Sequence, residues 1–199
     1  MNADSEIADI DAQCWQALQL AVADAESPFR YITLCSVDRQ AQPRARILVL
    51  RAVSQQERLL EFHTDVRSPK WQEFSAQPKA TVLGYAPQER VQVRFEGHVT
   101  LHAPGDIHNT KAWQSLSHWT RTTYHGGPPG DELVALPAAE LPEAADQLQQ
   151  PEDGRKRFGV VLFHAVSLDW FRLRRNDNRR AILRYDTMGR VLNGGWVNP

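Results

Sequence analysis

Cysteine is scarce in this chain, with two residues, Cys14 and Cys35, in 199. Neither falls in a metal-ligand spacing and each lies in a segment that reads as buried, so both are expected to be inert core thiols. The seven histidines are scattered. None sits in a His-Glu-x-x-His spacing and no Gly-x-Ser-x-Gly elbow occurs, so neither a metal site nor a serine nucleophile is expected. An excess of one charge is lacking too. The net charge is -1, so no global field draws the chain to nucleic acid or to an anionic membrane, and any anion site must be local. No apolar run approaches the roughly 20 residues of a bilayer span. Met1 to Glu6 is acidic and polar with no apolar run behind it, so no signal peptide is read and the cytoplasm is the expected compartment. A Gly-rich phosphate loop is missing as well, which makes a Rossmann fold a poor fit.

What is present is enough apolar material, 42% of residues, for a core that needs no disulfide or structural metal. The length suits a single domain over 1–199 with one long excursion at about 103–156. A helix is expected over 5–25, because Ile7, Ile10, Cys14, Leu18 and Val22 recur at spacings of three and four. Strands are expected at Tyr31 to Val37, Arg44 to Arg51, Leu59 to Thr64, Lys79 to Tyr85 and Val91 to Leu101, with a bulge or bend at Gly97. The run Ile47-Leu48-Val49-Leu50 is apolar on both faces and implies burial on both sides. Ser68 and Pro69 open a short helix as N-cap and first residue. Asp106 to Leu116 reads as helical, Gly126 to Gly130 as loop, and Leu133 to Gly154 as a loose surface helix. Phe158 to Arg174 returns to strand, and Ala181 to Tyr185 with Arg190 to Val197 forms a closing hairpin. Short strands at hairpin spacing with few helices give a mainly β chain with flanking helices (α+β), a barrel or sandwich.

Three constellations carry possible chemistry. Arg44, Arg46 and Arg51 crowd one strand, and guanidiniums recognise phosphate through a planar two-pronged donor geometry. A solvated strand edge is the plainer explanation of that segment taken alone. Thr64, Ser68 and Lys70 stand where a strand ends and a capped helix begins, a place that presents free N–H groups and partial positive charge to a phosphate. An ordinary cap beside an exposed lysine explains them equally well, until the arginine strand is set beside them. Gln92, Arg94 and Glu96 share one face of a strand. Gln92 offers both donor and acceptor to a flavin or pyrimidine edge, while Arg94 and Glu96 are expected to pair in solvent.

Taken in order, Arg46-Ile47-Leu48-Val49-Leu50-Arg51, His63-Thr64 with Ser68 to Lys70, and Gln92-Val93-Arg94-Phe95-Glu96-Gly97 resemble the FMN-binding split β-barrel of the pyridoxamine 5'-phosphate oxidase family. The resemblance resumes at Asp169-Trp170-Phe171 and Asn178 to Tyr185. It implies FMN as cofactor, its phosphate held by Arg46, Thr64, Ser68 and Lys70 and its ring lying along Ile47, Leu48, Val49 and Leu50. His63 and Gln92 join the cofactor set. Arg51 takes the place of a lysine near flavin and substrate. Trp170 or Phe171, and Arg179 or Arg180, are the nearest candidates for the aromatic and the arginine that complete the pocket. A homodimer with FMN between its subunits and a small-molecule substrate follow from the same resemblance. The implied activity is an FMN-dependent oxidoreductase, with Arg51 and Arg121 facing the substrate and no catalytic residue assigned. Two departures stand out. Pro69 replaces an arginine, and the substrate motif Arg-Leu-His-Asp-Arg gives way to Asn178-Arg179-Arg180-Ala181-Ile182. The same barrel holding FMN, haem or pyridoxal phosphate without turnover is therefore the alternative.

Overall fold

The computed structural model describes residues 3–127, 129–130 and 154–199. Helix α1 (Ala3–Ala21) precedes a nine-stranded sheet. Strand β1 (Tyr31–Val37) pairs antiparallel with β2 (Pro43–Val49), Leu34 opposite Arg46. The intervening turn is fixed by the Asp38 carboxylate, which accepts from the backbone N–H groups of Gln40 and Gln42 at 2.9 Å each. A short strand missed in the sequence, β3 (Ala52–Ser54), pairs with β4 (Leu59–Asp65). Helix α2 (Pro69–Ala76) separates β4 from β5 (Lys79–Ala86), which pairs with both β1 and β6 (Val91–His102). Helices α3 (Ile107–Ser115) and α4 (His118–Thr122) follow, then β7 (Phe158–Arg172), β8 (Arg179–Tyr185) and β9 (Val191–Val197). The expected surface helix of Leu133 to Gly154 lies, up to residue 153, outside the described residues.

The strand order is β2-β1-β5-β6-β7-β4-β3, with β8 and β9 branching from β7. Among the described residues no pairing joins the two ends, so the sheet is open. Branching is possible because β7 is 15 residues long. Its first half pairs with β4 and its second half with β8, while β6 runs along its other edge. The bulge expected at Gly97 is present as a register shift between Glu96 and Gly97. A Cβ there would collide with the His164 carbonyl oxygen, so the close approach of β6 to β7 requires glycine.

Helix α1 buries Ile7, Ile10, Cys14, Trp15 and Leu18 against this chain's own sheet, among Phe95, Leu168 and Leu183. It ends at Ala21, so Val22 packs only at the margin of the core. A polar knot fastens it. Buried Asp11 accepts from Arg58 and from the Tyr185 hydroxyl at 2.7 Å, and the Tyr185 oxygen accepts from Trp15 Nε1 at 3.1 Å. A second, smaller core joins Trp113 of α3, Tyr124, Phe158 and Val160. One expectation fails: Ile47 is 68% exposed. Strand β2 is an edge strand, and among the described residues nothing covers Ile47 on its outer face.

Candidate functional site

Alternation along β2 sends Arg44, Arg46 and Leu48 to the inner side, toward α2, and Ile47 and Val49 to the outer side. Arg46 Nη1 donates to Ser36 Oγ at 2.5 Å and Nη2 donates to Glu73 Oε2 at 2.7 Å. Ser36 Oγ also donates to the same carboxylate oxygen. Thr64 and Ser68 reach this side from the end of β4 and the start of α2, their hydroxyls 3.1 Å apart. Lys70 Nζ donates to Thr64 Oγ1 at 3.2 Å. Ser68 occupies the N-cap position and Pro69 the first helical position as expected, but the Ser68 hydroxyl makes no capping bond. Pro69 has no N–H and the Trp71 N–H donates to the Ser68 carbonyl at 3.1 Å, so the side-chain donors of Thr64, Ser68 and Lys70 are what this helix start offers a ligand. Burial, and then the neighbouring Arg46 charge, lower the Lys70 pKa from its ordinary value. A cleft of about 580 Å³ opens beside this cluster, with Arg39, Arg44, Arg46, Lys70 and Glu73 in its lining. Two hydroxyls, a guanidinium and an ammonium converging at a helix N-terminus suit a phosphate dianion.

On the outer side of the same corner stand Arg51, His63 and Tyr124. The Arg51 backbone N–H donates to the Glu61 carbonyl at 2.9 Å. Its side chain has no hydrogen bond or ion pair among the described residues, and its charge reaches Tyr124, whose hydroxyl pKa burial pushes up to about 12. His63 Nε2 meets Glu61 Oε1 at 2.8 Å, and the other oxygen of Glu61 meets His108 Nε2 at 2.8 Å. Burial opposes ionisation of Glu61, but the hydrogen bonds from His63 and His108 outweigh it and hold the carboxyl below its ordinary value. Arg121 lies over the Trp113 ring, 5.5 Å from its centroid, and donates to the Gln114 carbonyl at 2.9 Å.

The distal candidates are brought together in part. Register places Gln92, Phe171 and Arg180 in one row across β6, β7 and β8, on the outer face of the sheet. Trp170 has the opposite parity. It is buried at the α1 side, 6.3 Å from the Trp196 ring, and so is separated from its neighbour Phe171 by the thickness of the sheet. Arg179 is turned away as well, bonded to Glu6 at 2.6 Å and stacked on Trp196. Arg94 pairs chiefly with Asp169 at 2.7 Å, whereas the Glu96 expected to partner it is 3.9 Å away and exposed. Within one chain the row of Gln92, Phe171 and Arg180 and the cluster round Arg46 therefore occupy opposite faces.

Sequence reasoning missed Ser36, Glu73, Glu61 and His108, and it named Asp169 without its pairing to Arg94 and Arg180. No motif marks the first four. Glu73 lies one helical turn after Pro69 and Lys70, which is the single available hint that it shares their face.

Comparison with known proteins finds relatives over most of the chain. A family model described as pyridoxamine 5'-phosphate oxidase, FMN-binding domain, matches residues 12–103. The pyridoxine/pyridoxamine 5'-phosphate oxidase of Ralstonia pickettii is 31% identical over 171 residues, 79% of this chain and 71% of that protein. Pyridoxine/pyridoxamine 5'-phosphate oxidase 1 of Ralstonia nicotianae is 30% identical over the same shares of the two chains, 79% and 71%. Among solved structures, a pyridoxamine 5'-phosphate oxidase-related, FMN binding protein from Nostoc punctiforme superposes with a TM-score of 0.75 at 25% identity, covering 94% of this chain and 96% of its own. PhzG from Burkholderia lata, solved in complex with tetrahydrophenazine-1-carboxylic acid, shares the fold at a TM-score of 0.69 and 17% identity, over 94% and 90% of the two chains.

Proposed function

Because the chain belongs to the pyridoxamine 5'-phosphate oxidase family, whose matched domain is FMN-binding, we propose that it is an FMN-dependent oxidoreductase of this type. The observation that carries the reading is the convergence of Arg46, Thr64, Ser68 and Lys70 at the start of α2. These residues fit the phosphate of FMN. Two cations stand against the single carboxylate of Glu73, and the Ser68 hydroxyl is not spent on its own helix. When bound, FMN supplies hydride and electron transfer. The chain's part is to hold and orient it. Arg46 and Lys70 would neutralise the phosphate, Thr64 and Ser68 would donate to it, and the Ile47, Leu48, Val49 and Leu50 backbone would contact the rest of the cofactor. His63 borders the same corner. Arg51 and Arg121 are the groups proposed to meet the substrate, with Arg51 the stronger candidate because its guanidinium has no partner among the described residues, whereas Arg121 is engaged with Trp113 and the Gln114 carbonyl.

The remaining cofactor contacts, Gln92, Phe171 and Arg180, with Trp170 as the weaker aromatic candidate, are read as coming from a second copy of the chain. That reading is supported by their position on the outer face beside exposed Tyr31, Ile47 and Tyr85. A homodimer would cover this apolar face and complete the site. No helix among the described residues is long and apolar enough to cross a membrane, and a cytoplasmic, single-domain protein is the accompanying reading.

A second reading rests on the β8 edge. Arg179 is committed to Glu6 and Trp196, and no Arg-Leu-His-Asp-Arg motif stands there. That favours a substrate other than pyridoxamine phosphate, or binding of FMN, haem or pyridoxal phosphate without turnover. The test is the visible spectrum after FMN is added and the protein desalted. Flavin bands retained at about one per chain support the first reading, and turnover of reduced flavin with oxygen and a candidate amine separates it from the second. A colourless protein that retains no FMN overturns the assignment.

A further inference from the structure

Asp169 stands between two arginines on the outer face of the sheet. Its carboxylate accepts from Arg180 Nε at 2.9 Å, from Arg180 Nη2 at 2.8 Å and from Arg94 Nη2 at 2.7 Å. The carboxylate is nearly buried, with 9% of its side chain exposed, whereas Arg94 and Arg180 are 40% and 32% exposed. Two guanidiniums thus share one full counter-charge. Glu96, at 3.9 Å and 58% exposed, adds little to it. With Glu96 the four side chains sum to no net charge, but Asp169 alone is in hydrogen-bond contact with the arginines, on a surface that also carries Gln92 and Phe171. The two-pronged grip on Arg180 fixes the plane of its guanidinium as well as its position. The Nη1 groups of both arginines make no hydrogen bond among the described residues, and Arg94 Nε is buried without a partner. Asp169 therefore holds Arg180 by two donors and Arg94 by one, which leaves the Nη1 group of each arginine, and not the buried Arg94 Nε, as the donor open to a ligand.

We propose that Asp169 is a positioning residue that acts through Arg94 and Arg180, holding their free donor edges toward acceptor oxygens of the FMN bound by a second copy of the chain. Arg94 thereby becomes a further flavin-contacting residue. The inference rests on the dimeric FMN-site reading given above and goes beyond it by assigning Asp169 as the residue that orients Arg180 and Arg94 as a further contact. A local structural role for Asp169 would lower stability without coupling to the arginines in FMN binding, whereas a positioning role requires that coupling.

The experiment is a double-mutant cycle on FMN affinity, read by flavin fluorescence quenching, with sedimentation and thermal unfolding followed alongside. Asp169→Asn keeps the shape and removes the charge. It is expected to weaken FMN binding by about tenfold or more, the scale of a lost charged hydrogen bond, while the protein remains folded and dimeric. In an Arg94→Ala/Arg180→Ala background the same substitution is expected to change FMN affinity less than about twofold, because its means of action is gone. An equal loss in both backgrounds overturns the proposal, as does unchanged affinity in Asp169→Asn. Should Asp169→Asn fail to fold, Arg180→Lys keeps the charge and loses the fork. A loss of about tenfold is again expected, and wild-type affinity overturns the proposal. A wild-type protein that retains no FMN overturns the underlying reading and this inference together, whereas FMN retention with an additive cycle overturns this inference alone.

Discussion

The Glu73 carboxylate of α2 receives Arg46 Nη2 of β2 at 2.7 Å, and Ser36 of β1 completes the contact from below. The β1–β2 hairpin and helix α2 are thereby locked together at the point where a phosphate is expected. Glu73 and Ser36 are both buried, so the Arg46 head group is held in one orientation before any ligand arrives, which lowers the cost of ordering it on binding.

Arg46→Ala and Lys70→Ala are each expected to weaken FMN binding by about 1.5–3 kcal/mol, the scale of a hydrogen bond to a charged group. The two differ in their side effects. Removal of Arg46 strands Glu73 in a buried site and lowers the unfolding temperature as well, while removal of Lys70 leaves Thr64 and Ser68 bonded to each other. Equilibrium FMN titration with calorimetric melting separates these outcomes. Wild-type FMN affinity in both variants would sink the assignment of the cradle.

Asp11 ties α1 to the rest of the fold. Arg58 and Tyr185 both bond to it, and Arg58 also lies 4.4 Å from the centre of the Tyr185 ring. Asp11→Ala leaves a buried guanidinium without its counter-charge and is expected to cost about 3–5 kcal/mol, read as a lower denaturant midpoint. A loss below about 1 kcal/mol, the scale of an exposed pair, would show that the knot contributes little.

Acid stability follows from His164. Burial first, then the His98 ring stacked 4.8 Å away and His102, lower its pKa from the ordinary 6.5. Glu57 acts the other way. The unfolded chain therefore holds more protons than the folded one between the depressed folded value and 6.5. Stability contributed by the neutral ring is present above 6.5 and is lost as the pH falls through that window. His164→Asn is expected to flatten this part of the stability profile, measured by urea midpoints at a series of pH values. A slope identical to wild type would exclude His164 as its source.

The outer face makes a prediction about assembly. Tyr31 is 59% exposed and Tyr85 50% exposed on neighbouring strands. The wild-type protein is expected to sediment as a dimer, and Tyr31→Glu/Tyr85→Glu as a monomer with weakened FMN retention, because charges do not tolerate desolvation at an interface core. A variant that stays dimeric would place the interface elsewhere.

Local signals already specify much of this molecule. Alternation fixes β1, β5 and the first half of β6. The 3.6-residue stripe fixes α1, although Trp15, its largest buried side chain, stands beside the stripe rather than on it. Glycine at 97 marks the bulge. The ordered run of Arg46, Thr64, Ser68, Lys70 and Gln92 was legible as a candidate cofactor site only through its resemblance to the family, since each segment taken alone reads as well as a solvated strand or an ordinary helix cap. What the sequence could not state is which faces meet. Trp170 and Phe171 are adjacent in the chain and equally aromatic, yet one is in the core and the other on the outer face, because β7 alternates and its register against β6 and β8 is decided by strand pairing. Ile47 reads as buried on composition alone, but an edge strand in one chain leaves it exposed. The partners Glu73, Ser36 and Asp169 are supplied by other elements, from the adjoining hairpin strand for Ser36 to a strand 75 residues beyond Arg94 for Asp169. Their roles arise from long-range packing, which brings a buried carboxylate to an arginine only once the sheet has formed.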